Sequence, residues 1–335
     1  MSFKICVIGC GEIARGFHGP VYKRYAEDNL GQVELVACSS RRIENARKFA
    51  VEFGFLHAYD NYVKMLDIEQ PDVVCLNVPP SEICTITCDV LKRRIPILLE
   101  KPPGLTTAEI DLMIEEAEKG NVPNQVAFNR RYMPLVIWLN KMIQQEFNIK
   151  QLQSVGFEMT RIDRREADFS TTAIHGIDLL RMITNSDYLR ASFDYQELSQ
   201  IGQGIANYFI EAEFSSGIHG QLSFYPLTGK IREHLLINLF NNISFELDLP
   251  IWSIKGHSGL LKVYQNDNLI RQWTSNDLSN LETATDWWIN GFWNEDVSFF
   301  ESIRHGRYPE IDLRLARQSV VIMEKIRDRK KCYIA

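Results

Sequence analysis

The sequence contains no apolar run that approaches the roughly 20 residues needed to cross a bilayer as a helix. It has no long basic stretch either, and its 335 residues carry a net charge of -6. The first residues lead directly into an apolar run, without the charged, apolar and cleavage regions of a secretory signal. These absences disfavour insertion into a membrane and binding to nucleic-acid phosphates. We therefore expect neither kind of partner.

Cysteine is scarce and odd in number, with 7 residues in the chain. Cys6, Cys38 and Cys75 lie inside apolar runs that are typical of buried strands. Cys84 and Cys88 are one helical turn apart, but no second pair of metal-binding residues is near them in the sequence. Buried free thiols in a reducing compartment account for this pattern. We expect no metal site and a cytoplasmic location.

The residues that are present indicate two folded domains. Hydrophobic residues make up 45% of the chain and charged residues 24%, and the length exceeds what one hydrophobic core usually supports. The first third alternates short apolar runs with helical patterns, which predicts βαβ units around a parallel sheet. Its strand-like runs lie at 3–8, 33–38, 72–77 and 95–99. Its helical patterns lie at 43–53, 82–91 and 106–119.

The pattern changes after about residue 125. Helical patterns continue at 134–147 and 171–184, but strand-like runs separated by Gly, Asn and Asp fill residues 189–273. Helices are predicted again at 283–305 and 313–327. We expect an α/β Rossmann domain over residues 1–125, followed by an α+β domain with a large, mostly antiparallel sheet over residues 126–335. The second domain would bind substrate and mediate oligomerisation. Packing of its C-terminal helix against the first domain is compatible with this prediction.

A glycine-rich turn follows the first predicted strand. Residues 9–14 read Gly-Cys-Gly-Glu-Ile-Ala, which is a G-x-G-x-x-A pattern between a strand and a helix. The first glycine allows a tight turn, the second lets the backbone approach a pyrophosphate, and the alanine lets helix and strand pack closely. A tight turn without a ligand is the alternative. The cofactor-binding residues predicted here are Gly9, Gly11, Glu12, Ile13 and Ala14.

The second strand ends in Ser39, Ser40, Arg41 and Arg42, where a dinucleotide-binding domain often carries an acidic residue. A carboxylate would repel the 2′-phosphate of NADP, whereas a serine hydroxyl and an arginine can bind it. We therefore expect NADP to be favoured over NAD, which remains possible as the cofactor, with Ser40 and Arg41 as the contacts. The alternative is that both arginines face solvent at the start of the next helix.

Four motifs resemble the Gfo/Idh/MocA family of oxidoreductases. They are Asn77-Val78-Pro79-Pro80, Glu100-Lys101-Pro102, Asn129-Arg130-Arg131-Tyr132 and Ile174-His175-Gly176-Ile177-Asp178. They follow the family's order over most of the first 185 residues, and the β-rich second half fits the family's second domain. The resemblance implies that Asn77, Pro79, Glu100 and Lys101 contact the cofactor.

The resemblance also implies that Lys101 and His175 are catalytic. Lys101 would stabilise negative charge on the substrate oxygen, and His175 would carry the hydroxyl proton. The alternative for Lys101 is a surface partner of Glu100, and the alternative for His175 is a core histidine. Asp178, one turn after His175, could orient the ring or make a structural hydrogen bond. The predicted substrate contacts are Lys101, Arg131, Thr171 and His175, with an interdomain ion pair as the alternative for Arg131.

One position departs from the family's pattern. Members often carry an aspartate one turn before the histidine, where this chain has Thr171. A hydroxyl does not stabilise an imidazolium as a carboxylate does. Asp168 lies slightly earlier and is a candidate substitute. The departure puts the family's proton relay and the identity of the substrate in doubt.

These observations predict an NAD(P)-dependent oxidoreductase that acts on a secondary alcohol or ketone of a sugar, cyclitol or related small molecule. Reduction of a non-sugar substrate such as a tetrapyrrole or an imine is a second possibility. A catalytically silent NAD(P)-binding regulator of the same fold is a third. We expect a homodimer or homotetramer.

Overall fold

The computed structural model describes residues 2–251, 254, 256–279 and 285–335. The chain divides into two compact units, each built from two separate stretches of sequence. The first unit is Met1–Asn129 with Phe292–Val320, and the second is Arg130–Gly291 with Val321–Ala335.

Most helices of the described chain lie close to the predicted ones, whereas the helix at residues 62–69 was not predicted. In chain order they are α1 (Gly19–Asp28), α2 (Ile43–Phe53), α3 (Tyr62–Glu69), α4 (Pro80–Lys92), α5 (Thr107–Gly120), α6 (Pro134–Gln145), α7 (Ser170–Thr184), α8 (Asp286–Ile289), α9 (Phe292–Arg304) and α10 (Leu313–Arg327). The helix predicted over 283–305 is present as α8 and α9, and Thr283 lies outside the described residues. None of the described helices is long and apolar enough to span a membrane.

The first unit contains a six-stranded parallel sheet in the order β3-β2-β1-β4-β5-β6. Its strands are β1 (Phe3–Ile8), β2 (Val33–Ser39), β3 (His57–Tyr59), β4 (Val73–Leu76), β5 (Ile97–Glu100) and β6 (Asn124–Ala127). The chain runs outward from β1 through β2 to β3, then returns to β4 on the other side of β1. This reversal opens a crevice at the carboxyl ends of β1 and β4, where such sheets place their ligands. The predicted Rossmann domain is confirmed.

Burial explains why the central strands of this sheet are largely apolar. Ile5, Cys6 and Val7 of β1 and Val74 of β4 are fully buried. A parallel sheet carries helices on both faces, so neither face of a central strand needs polar side chains. Helix α9 belongs to this unit although it lies far along the chain, and it packs against α1.

The second unit contains a nine-stranded sheet in the order β14-β13-β12-β11-β7-β10-β9-β8-β15. Its strands are β7 (Leu152–Thr160), β8 (Tyr188–Glu197), β9 (Ala206–Phe214), β10 (His219–Tyr225), β11 (Arg232–Leu239), β12 (Ile243–Asp248), β13 (Leu260–Gln265), β14 (Asn268–Trp273) and β15 (Cys332–Ile334). The β7–β10 pair is parallel, and the other pairs described in this sheet are antiparallel. The predicted α+β domain with a mostly antiparallel sheet is confirmed.

One face of this sheet packs against helices. Along β9, buried residues alternate with more exposed ones, as expected for a sheet covered on one side. Helix α7 lies on the covered face, and a Cβ placed on Gly176 would come within 2.4 Å of the Phe157 ring. That close approach explains the glycine. Phe214 and Phe224 are core residues, whereas Phe240 is exposed.

Candidate functional site

The glycine-rich turn is fixed by the ends of the two neighbouring strands. Gly9 has a φ of +98°, and a Cβ at this position would lie 2.1 Å from the carbonyl oxygen of Asn77. Its N–H donates to the carbonyl of Ser39 at 2.9 Å. A residue other than glycine would therefore collide with the chain that leaves β4. The protein's own packing requires the first glycine of the motif.

The second glycine has a different environment. A Cβ placed on Gly11 would meet no protein atom within 4 Å. Glu12 and Ile13 are exposed, whereas Ala14 is 1% exposed. The chain is helical from residue 12 to residue 28, and residues 14–18 form a π-helical turn. Open space over Gly11, at the start of a helix, is the geometry that admits a pyrophosphate.

A cleft of about 620 Å³ opens beside this turn. It lies in the first unit, at the carboxyl ends of β1, β2 and β4. Most of the predicted cofactor residues line it, namely Gly9, Gly11, Ser40, Arg41, Asn77 and Pro79. Glu12 lines a smaller depression with Gly11. Both depressions have the location expected for a dinucleotide.

Sequence reasoning did not identify the acidic residues of this cleft. Arg41 is 80% exposed, and its guanidinium lies 2.9 Å from the carboxylate of Glu82 on α4. Asp60 also lines the cleft. The end of β2 carries no carboxylate, as expected, but these two arrive from other segments. A 2′-phosphate bound by Arg41 would have to replace Glu82 as its partner.

Glu100 and Lys101 lie at the carboxyl end of β5, next to β4 in the sheet. The backbone N–H of Lys101 donates to Glu100 Oε2 at 3.1 Å. The other carboxylate oxygen, Oε1, lies 2.9 Å from Nε2 of His18. Burial by itself would raise the pKa of Glu100, but His18 and Lys101 lower it. Glu100 is therefore ionised beside the predicted catalytic lysine.

His18 and Asp296 were missed by sequence reasoning. His18 Nδ1 lies 2.9 Å from Asp296 Oδ2, and both side chains are buried. His18, Glu295 and Asp296 place ligand atoms within 4.8 Å of one another, a spacing that can hold a metal ion. The His18–Asp296 distance is instead that of a direct hydrogen bond. A lone histidine in a helix and an aspartate 278 residues later give no sequence signal of this pairing.

In the second unit, His175 is held by an arginine. His175 is 4% exposed, and its Nε2 lies 3.1 Å from Nη1 of Arg130. A guanidinium only donates hydrogen bonds, so Nε2 must be the acceptor. The ring is therefore neutral in this arrangement and carries its proton on Nδ1. This contact occupies the nitrogen that a base would use.

Arg130 is in turn fixed by Glu233 of β11, which sequence analysis did not identify. Arg130 Nη2 lies 2.8 Å from Glu233 Oε1, and Arg161 pairs with the same oxygen. Burial by itself would raise the pKa of Glu233, but Arg130 and Arg161 lower it to about 2. One buried carboxylate thus holds two guanidinium groups beside the predicted catalytic histidine.

The remaining predicted residues surround α7. Arg131 forms a buried ion pair with Asp178, with Nε 2.6 Å from Oδ2. Asp178 therefore binds an arginine, and Arg131 forms this ion pair within the second unit rather than between domains. Thr171 donates weakly to the carbonyl of Asp168, at 3.5 Å. The Asp168 carboxylate accepts from the N–H and hydroxyl of Ser170.

Comparison with known proteins relates the first part of the chain to a protein family. A family model described as an oxidoreductase family with an NAD-binding Rossmann fold, that of the Gfo/Idh/MocA proteins, matches residues 3–128. An oxidoreductase of Formosa agariphila is 25% identical over 191 residues, which are 52% of this chain and 58% of that protein. The myo-inositol 2-dehydrogenase of Thermotoga maritima is 31% identical over 136 residues, 38% of this chain and 37% of that protein. The matches span about two to three fifths of these relatives.

The fold similarity extends over the whole chain. An oxidoreductase from Agrobacterium radiobacter, solved in complex with NAD+, L-tartaric acid and magnesium, superposes with a TM-score of 0.81. It is 14% identical, and the superposition covers 100% of this chain and 98% of that one. An identity this low shows the fold alone. Residues 3–128 therefore match the Gfo/Idh/MocA family of oxidoreductases, with its NAD-binding Rossmann fold, and the whole chain shares the fold of that solved structure.

Proposed function

We propose that this chain moves hydride between a nicotinamide cofactor and a secondary alcohol or ketone of a sugar, cyclitol or related small molecule. The cleft beside β1 and β4 carries the proposal, because Gly9 is required by the fold whereas Gly11 faces open space. The name of the Thermotoga maritima relative supports the substrate class. The cofactor would supply or accept the hydride, and the protein would supply binding and charge.

Two side chains carry the chemistry in this proposal. The ammonium group of Lys101 stabilises the substrate oxygen as it becomes alkoxide-like during hydride transfer. His175 moves the proton of the same hydroxyl group. To accept that proton, Nε2 would exchange its hydrogen bond from Arg130 for one from the substrate hydroxyl, since Nδ1 already carries the ring's proton. Thr171, on the same helix, is the proposed substrate contact.

For the cofactor we propose NADP, with NAD as the alternative. Ser40 and Arg41 line the cleft where β2 ends, and both can bind a 2′-phosphate. The contact between Arg41 and Glu82 opposes this preference, because Glu82 competes for the guanidinium. Measurement of both cofactors with the same substrate therefore decides between them.

Turnover tests the proposed activity. The purified protein is incubated with NADPH or NADH and a panel of keto-sugars and keto-cyclitols, and with the oxidised cofactors and the matching alcohols. We expect cofactor-dependent turnover that Lys101→Ala lowers by about 100-fold or more, as for loss of an oxyanion stabiliser. Turnover that Lys101→Ala leaves unchanged would contradict the role of this residue.

A catalytically silent NAD(P)-binding regulator is the second candidate. Thr171 in place of an acidic residue, and Arg130 bonded to His175 Nε2, both favour it. This candidate predicts cofactor binding without turnover of any panel substrate, and identical behaviour of the Lys101→Ala variant.

We also propose a homodimer or homotetramer in the cytoplasm. The described cysteines are free thiols, which suits a reducing compartment. Light scattering of the purified protein measures the assembly directly, and a monomer would contradict the proposal.

A further inference from the structure

The His18 imidazole lies in the interior of the first unit, behind the Glu100–Lys101 dipeptide. Its side chain is 1% exposed. Nε2 lies 2.9 Å from Glu100 Oε1, and Nδ1 lies 2.9 Å from Asp296 Oδ2. Both ring nitrogens thus face carboxylate oxygens at hydrogen-bond distance.

Glu100, His18 and Asp296 form a row with two hydrogen bonds, one on each side of the imidazole, and these two bonds need two protons. A neutral imidazole has one N–H and one lone pair, so it donates to only one carboxylate. An ionised carboxylate offers lone pairs alone, and a lone pair facing another at 2.9 Å is repulsive. An imidazolium between two carboxylates supplies both protons. The row of Glu100, His18 and Asp296 then carries one net negative charge.

The electrostatics of the surrounding groups support this assignment. Burial by itself would lower the pKa of His18, but Asp296 and Glu100 raise it well above its usual value. Burial and the charge of Glu100 raise the pKa of Asp296, which by itself opposes its ionisation, and the His18 ring acts in the other direction; the pKa of Glu100 is lowered. Glu100 is therefore the firmly ionised member. Tyr22 faces the same cluster and is neutral, because burial raises its pKa well above the usual range.

Two structural features connect the row of Glu100, His18 and Asp296 to Lys101. Glu100 Oε1 lies within hydrogen-bond distance of His18, and Oε2 accepts the N–H of Lys101, so both carboxylate oxygens are held. His18 ends the π-helical turn of residues 14–18. Such turns add a residue to a helix, re-aim side chains and are frequent at functional sites.

We propose that His18 and Asp296 are positioning residues for Lys101. They hold the Glu100 carboxylate as an ordered anion, which orients the main chain of Lys101 and balances the charge of its ammonium group. The role in catalysis depends on the proposed function, in which Lys101 acts on the reacting oxygen. The charge state of the row does not depend on it.

Kinetics of matched variants test the positioning role. His18→Gln and Asp296→Asn each disrupt the hydrogen bonds between the imidazole and the carboxylates of the row. Tyr25→Phe is the control, because it removes a partly buried hydrogen bond between α1 and α9 (Tyr25 to Glu301, 2.5 Å) that does not involve Glu100. We expect kcat to fall about 10- to 100-fold in both row variants, with the cofactor KM changed by less than about threefold. The control should keep the wild-type kcat.

Folded row variants that retain the wild-type kcat would overturn the proposal. So would an equal loss of kcat in Tyr25→Phe, because the effect would then be a general loosening of α1 against α9. If His18→Gln does not fold, Asp296→Asn carries the test, since an amide has nearly the shape of a carboxylate.

A second readout needs no turnover. Nitrogen NMR of the imidazole rings distinguishes an imidazolium from a neutral ring. We expect one ring to keep both nitrogens protonated near pH 8, where an ordinary histidine has lost its proton. This signal should disappear in His18→Gln and shift in Asp296→Asn. A neutral His18 ring near pH 8 in the wild-type protein would overturn the charge assignment, whereas absence of turnover alone would count against the proposed function.

Discussion

Gly9 and Gly11 belong to one motif but are required by different partners. At Gly9 the positive φ and the nearby carbonyl of Asn77 leave no space for a side chain. At Gly11 the protein leaves that space open. We infer that the fold requires the first glycine and that the bound cofactor requires the second. This difference allows binding to be tested apart from folding.

Gly11→Ala should therefore weaken cofactor binding without destabilising the protein. A methyl group placed there meets no protein atom, but it would occupy the space that a pyrophosphate approaches. We expect the Kd for NADPH to rise about tenfold or more, and the free energy of unfolding to change by less than about 1 kcal/mol. Calorimetric titration and urea denaturation measure the two quantities.

Gly16→Ala is the matched control, because Gly16 lies in the same helical segment and also has open space around it. It should leave both quantities near their wild-type values. An unchanged Kd in Gly11→Ala would contradict the placement of the cofactor over this turn.

Arg41 should set the preference for NADP. Loss of its guanidinium removes a charge-assisted hydrogen bond to the 2′-phosphate, worth about 10- to 100-fold in affinity. Arg41→Ala is expected to raise the KM for NADP by that factor and to leave the KM for NAD nearly unchanged. Glu82→Gln should lower the KM for NADP, because it frees Arg41 from its carboxylate partner.

Arg42→Ala serves as the control, since Arg42 is exposed and begins α2. Equal effects of Arg41→Ala on both cofactors would count against the NADP preference.

Single residues of the site differed in how far the sequence could predict them. Gly9 and Gly11 were predictable because their chemistry is tied to a local pattern between a strand and a helix. Glu82, Glu233 and Asp296 were not, because each meets its partner only through the tertiary fold. Arg130 belongs to one of the four motifs, but its bond to His175 joins residues 45 positions apart.

At the scale of elements, β11 and the segment after β7 are linked by charge. Glu233 of β11 binds Arg130 and Arg161, and all three side chains are largely buried. Breaking such a network leaves buried charges without a counter-ion, which costs about 3–5 kcal/mol. Glu233→Gln should lower the free energy of unfolding by about that amount at neutral pH, as measured by urea denaturation.

The same carboxylate gives the network a defined pH dependence. Its pKa is lowered to about 2 in the folded protein, below the ordinary value of 4.5. Its stabilisation is therefore complete above about pH 4.5 and is lost as the pH falls toward 2. The shift corresponds to about 3 kcal/mol. Glu233→Gln should remove this part of the acid dependence.

Glu158→Gln on β7 is the control, because Glu158 is 41% exposed and lies 3.7 Å from its arginine partner. Exposed pairs of this kind contribute little. An acid profile of Glu233→Gln that matches the wild type would contradict the assignment.

Element prediction succeeded where one physical pattern dominated. Strands β1, β2, β4 and β5 are predominantly apolar because helices cover both faces of the sheet. Strand β3 was missed, since three residues at a sheet edge carry no periodic signal. Strand β7 was also missed, because its buried residues alternate with polar ones and it lies outside the predicted strand-rich stretch.

At the scale of the whole molecule, both units draw on separated stretches of chain. The first recruits Phe292–Val320, and the second recruits Val321–Ala335. Phe299 and Phe300 of α9 are fully buried in the core of the first unit. Their sequence shows an amphipathic helix but not which core it joins, because either domain offers an apolar surface. Helix α10 is divided between the two units, because its residues up to Val320 belong to the first unit and those from Val321 belong to the second. This division depends on tertiary packing alone.

The central claim is that the first unit binds a pyridine dinucleotide in the cleft at the carboxyl ends of β1 and β4. Isothermal titration calorimetry of the folded protein with NADPH, NADP, NADH and NAD tests it most directly. The account predicts saturable binding of at least one of the four, with one site per chain, and weaker binding of the same nucleotide by Gly11→Ala. A folded protein that gives no binding heat with any of the four at several temperatures would contradict the claim.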